Sequence, residues 1–216
     1  MSLDKKTLSE AIKEARSKSE KKKFIQTIDL VINLQDIDLK KPEGKIQELI
    51  ELPYALGKGK RLCVIASGEM ALKARKAGAD LVLERSEVEA LSGDKKKQKQ
   101  IVASYDLFIA EAPLMPVVGR VLGSTLGPKG KMPTPLPPNA NVADQIEKQR
   151  KVIFVRLRGQ PVLQSPVGTE DMTDDQIAEN IQAVLRRIEG KLKRGIKNIR
   201  SIYLKTTMGQ PVRIKL

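Results

Sequence analysis

The chain has 216 residues, 40% of them apolar, and carries 40 Lys and Arg against 26 Asp and Glu for a net charge of +14, with a pI near 9.8. That length and apolar content predict a folded protein of one or two domains, and the excess of cations predicts a polyanionic partner, with nucleic acid favoured over an anionic membrane. Histidine is absent and Cys63 is the single cysteine, so His/Cys zinc sites, Ser-His-Asp triads, Cys-His dyads and an internal disulfide are excluded.

The first element expected is a helix opened by the capping box Thr7-Leu-Ser-Glu10, with Leu8, Ala11, Ile12 and Ala15 on one face. This N-terminal stretch lacks the apolar core of a signal peptide, and no run of about 18 apolar residues follows anywhere, so a cytoplasmic protein without membrane contact is expected. The charged run Lys18 to Lys23 reads as a solvated face with function only at its end. From Phe24 to Leu34 the sequence alternates: Phe24, Ile28, Leu30, Ile32 and Leu34 take the core parity, while Lys23, Thr27 and Asp29 are expected on the exposed face of the same strand, open to solvent or to a docked ligand.

From Arg61 the pattern changes. RLCVIAS reads as a strand buried on both faces, which makes Cys63 a packed, inert thiol. A helix over 69–77 stopped at Gly78, the strand DLVLE, a short helix near 87–91, a basic helix over 95–102, a strand over 105–110 and a helix over 116–122 follow. Such alternation predicts a small parallel sheet with helices on both faces. Next comes GPKGKMPTPLPPNAN, from Gly127 to Asn141, with five prolines, two glycines and no acid. It reads as a shaped basic loop, neither helix nor central strand, because proline removes the amide donor and fixes φ. The segment is not a P-loop, since Lys131 is followed by Met132 rather than Ser or Thr. Gly57-Lys-Gly-Lys precedes a strand, the wrong order for a dinucleotide fingerprint.

The last third returns to alternating strands, VIFVRLRG and PVLQSPVG, then a helix capped by Thr173-Asp-Asp-Gln176 with Ile177, Ile181, Val184, Leu185 and Ile188 as its apolar stripe. Two strands around a Met-Gly-Gln turn close the chain, with Ile202 and Leu204 on one side and Ser201, Tyr203, Lys205 and Thr207 on the other. Residues 190–216 hold eight basic side chains and no acid, a composition suited to phosphate and ribose. Aromatics make up only 3% of the chain, so shape recognition of a folded RNA is favoured over base-stacking. The front and back of the chain share an α+β style and the middle is α/β. The organisation expected is therefore residues 1–58 plus 152–216 as one discontinuous domain and 59–151 inserted into it.

Three segments, KKFIQTIDLVINL, LGSTLGPKGKMPTPLPPN and SIYLKTTMGQPVRI, together resemble the ribosomal protein L-one family of the large-subunit mobile stalk, in its archaeal-type form, nearly end to end. The resemblance implies an α+β outer domain of split β-α-β type that binds rRNA, and an inserted α/β Rossmann-like three-layer domain. Carried over residue by residue, it implies rRNA contacts at Lys23, Phe24, Thr27, Asp29, Ser201, Thr207, Met208 and Gly209, with Lys205, Lys129 and Lys131 as secondary contacts. The chain departs from the family pattern at Gln210, which stands before Pro211, and at Asp29, where the family often has glutamate. The partners implied are the rRNA stalk element, transiently the exit-site tRNA, and the protein's own mRNA, whose translation it would repress. A ribosome-bound protein, monomeric off the ribosome, with no cofactor, metal or enzymatic activity, is expected. The competing reading is a nucleotide- or phosphate-binding α/β enzyme, its ligand at the carboxyl ends of the middle strands.

Overall fold

The computed structural model describes residues 4–37, 46–57, 59–137, 141–157 and 159–214. The chain divides into two compact units, Met1–Lys58 with Lys151–Leu216, and Gly59–Arg150.

The first unit is built on a four-stranded antiparallel sheet in the order β10-β9-β1-β8: β1 is Thr27–Leu34, β8 Val162–Thr169, β9 Ile199–Thr206 and β10 Val212–Ile214. Helix α8, Asp174–Glu189, connects β8 to β9, and β1 lies between those two strands, so this is a split β-α-β unit. The Thr173 capping box forms as expected, the threonine hydroxyl accepting from Gln176 N and the Gln176 side chain accepting from Thr173 N. Helix α1, Lys5–Ser17, buries Leu8, Ala11, Ile12 and Ala15. It starts two residues before Thr7, with Asp4 as its N-cap and no side-chain cap bond, so the Thr7–Glu10 box is not used. Apolar side chains of α1 and α8 form one core with Ile28, Leu30, Ile32, Leu163, Val167, Ile202 and Leu204. Truncating one of the buried leucines or isoleucines of this core to alanine removes about 2–5 kcal/mol. A two-stranded ribbon of β2, Gln47–Glu51, and β7, Val152–Arg156, adds Ile50, Ile153 and Val155 to that core. Of the strand expected in VIFVRLRG, Arg158 lies outside the described residues.

The second unit is a parallel sheet in the order β4-β3-β5-β6: β3 is Leu62–Ile65, β4 Leu81–Leu83, β5 Leu107–Glu111 and β6 Thr134–Leu136. Alternate residues of β3 feed two cores. Leu62 and Val64 pack with α2 (Gly68–Lys76) and α7 (Val142–Lys151). Cys63 and Ile65 pack with α3 (Arg85–Ala90), α4 (Lys95–Ser104), α5 (Met115–Val121) and α6 (Gly123–Lys129). Burial pushes the Cys63 thiol up to about 12, so it stays protonated.

Two expectations are corrected here. Phe24, Ile25 and Gln26 precede β1 and are not strand, so the parity that put Phe24 in the core does not apply; its side chain is 49% exposed. The proline-rich run is not one loop. Gly127-Pro128-Lys129 is the last turn of α6, closed by Gly130 at φ +66°, a conformation open to glycine. Among the described residues Thr134–Leu136 is an edge strand paired only with β5, where Pro135 is tolerated because an edge strand has one unpaired side. Pro138 to Ala140 lie outside the described residues.

Candidate nucleic-acid interface

Helices α1 and α8 cover one face of the antiparallel sheet. The other face follows from strand parity: along β1 the core residues Ile28, Leu30, Ile32 and Leu34 alternate with half-buried Thr27, Asp29, Val31 and Asn33. The register sets Asp29 opposite Lys205, Val31 opposite Tyr203 and Asn33 opposite Ser201 on β9, and Tyr203 opposite Arg213 on β10. A cavity of about 230 Å³ opens on this face between Asp29, Val31, Gln164, Ser165, Pro166 and Lys205. Partial burial raises the Asp29 pKa, and the nearby Lys205 ammonium opposes that rise. The Asn33 amide donates to Ser201 Oγ at 3.0 Å, and Ser201 is buried. Beyond this pair the register slips by one residue between Asn33 and Leu34, which leaves Arg200 as an exposed extra residue in β9.

At the opposite end of β1 the chain leaves β9 through Thr206-Thr207-Met208-Gly209. The Thr207 hydroxyl accepts from Thr27 N at 3.0 Å and lies 3.3 Å from Thr27 O, to which it donates, continuing the ladder with a side chain. Met208 N donates to Gln26 Oε1 at 3.1 Å, and Gln26 is fully buried. Gln26 Nε2 donates to Ser19 Oγ and to Glu20 O, both at 2.9 Å, and Thr206 Oγ1 donates to the same Ser19 Oγ at 2.9 Å. Gly209 is required by close approach: a Cβ there would stand 2.2 Å from Thr206 Oγ1. With the Met208 and Gly209 amides and both threonine hydroxyls satisfied internally, the turn presents the Met208 side chain, 66% exposed; Gln26, which holds it, directly follows the bend and loop that carry Lys23 and Phe24.

Of the residues expected to contact RNA, Thr27, Thr207, Met208 and Gly209 therefore meet at one end of the sheet, with Asp29 and Lys205 next along its open face. Ser201 pairs with Asn33, six positions along β1 from Thr27 and about 20 Å away by strand rise. Gln26 and Ser19 carry no motif or charge that marks them in the sequence. The available signal was Gln26 itself, a polar residue at a core-parity position.

Lys129 and Lys131 lie in the second unit, in a different setting. Lys129 is exposed at the end of α6. Lys131 Nζ donates to Val102 O at 3.1 Å and Tyr105 O at 2.6 Å, and stands 3.9 Å from Asp106 Oδ1. It caps the C-terminus of α4, where a cation is favoured by the helix dipole. At the point where strand order reverses, between β3 and β5, the Glu111 carboxylate accepts from Ser67 N at 3.0 Å and Ser67 Oγ at 2.8 Å. An acidic group thus stands where a doubly wound sheet would receive a nucleotide phosphate. Among the described residues no helix is long and apolar enough to cross a membrane.

The sequence profile described as the Ribosomal protein L1p/L10e family matches residues 13–210. The chain belongs to this family. It is 44% identical to the large ribosomal subunit protein uL1 of Methanothermobacter thermautotrophicus over 205 residues, covering 95% of this chain and 97% of that one. Identity to the protein of the same name from Pyrococcus horikoshii is 44% over 216 residues, 100% of this chain and 98% of the relative. For that of Archaeoglobus fulgidus it is 41% over 214 residues, 99% and 100% of the two chains. Membership makes the chain a ribosomal protein of archaeal type and sets the enzyme reading aside.

Proposed function

We propose that this chain binds rRNA in the large ribosomal subunit, gripping a folded stalk element with the discontinuous unit formed by residues 1–58 and 152–216. The supporting observation is the Thr206–Gly209 turn. Its hydrogen bonds are closed by Thr27, Gln26 and Ser19, and it exposes Met208 at the end of a sheet face that carries Lys205 and Arg213. Such a surface recognises a shaped backbone by van der Waals fit and ribose contact, with lysine and arginine neutralising phosphates. Lys23, Phe24, Thr27, Asp29, Thr207, Met208 and Gly209 form the contact area near the turn, and Ser201 fixes the far end of the face through Asn33. The names of the relatives support placement in the large subunit of the ribosome. The finer reading, which rests on family resemblance, has the inserted unit of residues 59–151 moving with the stalk to assist departure of exit-site tRNA, and the RNA grip repressing the protein's own mRNA.

The test is binding of the full chain to a transcript of the large-subunit stalk rRNA across a salt series. If about six phosphates are neutralised, log affinity falls against log salt with a slope near −5 by the duplex-DNA rule and somewhat less steeply for folded RNA. Affinity that is absent, or independent of salt, contradicts the reading.

A further inference from the structure

Gln26 is fully buried, and every polar atom of its side chain is engaged at a meeting point of three chain segments. Its Nε2 reaches Ser19 Oγ and Glu20 O just beyond α1, and its Oε1 receives the amide of Met208 in the turn. Its own backbone exchanges bonds with Glu170, N donating to Oε2 at 3.3 Å and O accepting from Glu170 N at 3.1 Å. Ser19 Oγ accepts from both Gln26 and Thr206, which uses its two lone pairs.

This junction needs a side chain that donates twice and accepts once in fixed directions. A carboxamide does so; an ionised carboxylate only accepts, and an apolar chain does neither. With no exposure to solvent, water cannot replace a lost partner, and an unpaired buried group is costly.

We propose that Gln26 is the positioning residue of the rRNA site: it touches no RNA, and its carboxamide holds the Thr206–Gly209 turn in the shape that RNA meets. The proposal rests on the reading of that turn as rRNA-binding.

Gln26→Glu and Gln26→Met test it. The charge facing the position is the Glu170 carboxylate, which accepts from Gln26 N; Glu20 meets Gln26 through its backbone carbonyl, its carboxylate being exposed and paired with Lys22 at 2.7 Å. Full burial and the Glu170 charge favour the protonated form of a carboxyl placed there. In acid it regains a donor; ionised, it has none. Affinity of the full chain for the stalk rRNA transcript is measured from pH 8 to pH 5.5 as a ratio to wild type at each pH, which removes the titration of Asp29 and of the RNA. At pH 8 both variants are expected to bind about tenfold or more weakly, with the Gln26→Glu ratio returning toward one by pH 5.5 and the Gln26→Met ratio staying flat. Binding within twofold of wild type for both variants at pH 8, or a Gln26→Glu deficit constant with pH, overturns the proposal. If Gln26→Met does not fold, the Gln26→Glu series alone carries this arm.

A second readout separates this proposal from the RNA reading. Hydrogen exchange of the Met208 amide, measured without RNA, is expected to quicken about tenfold or more in Gln26→Glu at pH 8 relative to wild type. Unchanged exchange overturns the positioning role even if wild type binds RNA. Faster exchange in a chain whose wild type does not bind RNA overturns the RNA reading alone.

Discussion

The segment from Lys205 to Gly209 and the segment from Gly127 to Leu136 look alike in composition, each setting glycine beside lysine, threonine and methionine, and their lysines are used in opposite ways. In the turn, the Thr207 hydroxyl, the Met208 amide and the Thr206 hydroxyl donate to Thr27 O, Gln26 Oε1 and Ser19 Oγ, and Lys205 stays on the open sheet face. In the second segment Met132 is exposed as well, but Leu136 enters a core and Lys131 folds onto the carbonyls that end α4. The lesson is physical: a lysine near an open helix C-terminus is a structural cap first, because unpaired carbonyls and the dipole compete for it with any outside anion. Cation content alone does not mark an RNA surface; the direction of nearby carbonyls decides.

The contrast breaks most readily at Gly209. Gly209→Ala forces a Cβ against Thr206 Oγ1 and disrupts its bond to Ser19. Overpacking of this kind costs about 1–3 kcal/mol, so stalk rRNA affinity should fall roughly tenfold to a hundredfold, measured as Kd by filter binding. Affinity equal to wild type would show that the shape of the turn is irrelevant to RNA. On the other side, Lys131→Met removes charge-assisted bonds to Val102 O and Tyr105 O, worth about 1–3 kcal/mol of stability. Denaturant unfolding should register that loss while Kd and its salt slope stay unchanged; a shallower salt slope would make Lys131 an RNA contact.

How much of this contrast was legible beforehand depends on whether local periodicity or three-dimensional direction carried the information. Helix α8 and its Thr173–Gln176 box were legible because cap and stripe are local signals. The core parity of β1 was legible from Ile28 onward, and so was the buried Cys63 strand. The start of β1 was not: alternation ran through Phe24, but the three residues before Thr27 leave the ladder, Gln26 turning inward to bond Ser19 and Glu20. Nor were β2 and α7. QELIE offers few apolar residues, since only one face of a two-stranded ribbon is covered, and α7 follows a proline run that masks its onset. The candidate interface was legible as a list of residues. The network that shapes it was hidden because Ser19, Gln26 and Thr206 come together only through tertiary contact across 187 residues of separation.

Smaller effects are expected at single charged side chains. Lys205→Gln should reduce the salt slope of rRNA binding by about 0.7–0.9, one phosphate's worth, with no change in stability beyond a few tenths of a kcal/mol. The equivalent Lys129→Gln measures whether exposed cations of the second unit contribute at all, and an equal loss of slope there would erase the distinction between the two units. The smallest effect belongs to Asp29. Its carboxyl is held above its ordinary range by partial burial, so the folded chain takes up a proton more readily than the unfolded one. Stability linked to this group is therefore present below the ordinary carboxylate value and lost as pH rises through the raised folded value. Asp29→Asn should gain stability relative to wild type as pH climbs through that window and show no gain below it. A gain independent of pH would contradict this account of Asp29.

The central claim, that RNA meets the open sheet face and the Thr206–Gly209 turn and not the proline-rich segment, is tested most directly by backbone amide NMR of the full chain during titration with the stalk rRNA transcript. The account predicts large shifts at Lys23 to Val31 and at Lys205 to Gly209, with Gly123 to Leu136 unmoved. Shifts confined to Gly123–Leu136, with Thr207, Met208 and Gly209 unchanged, would contradict it.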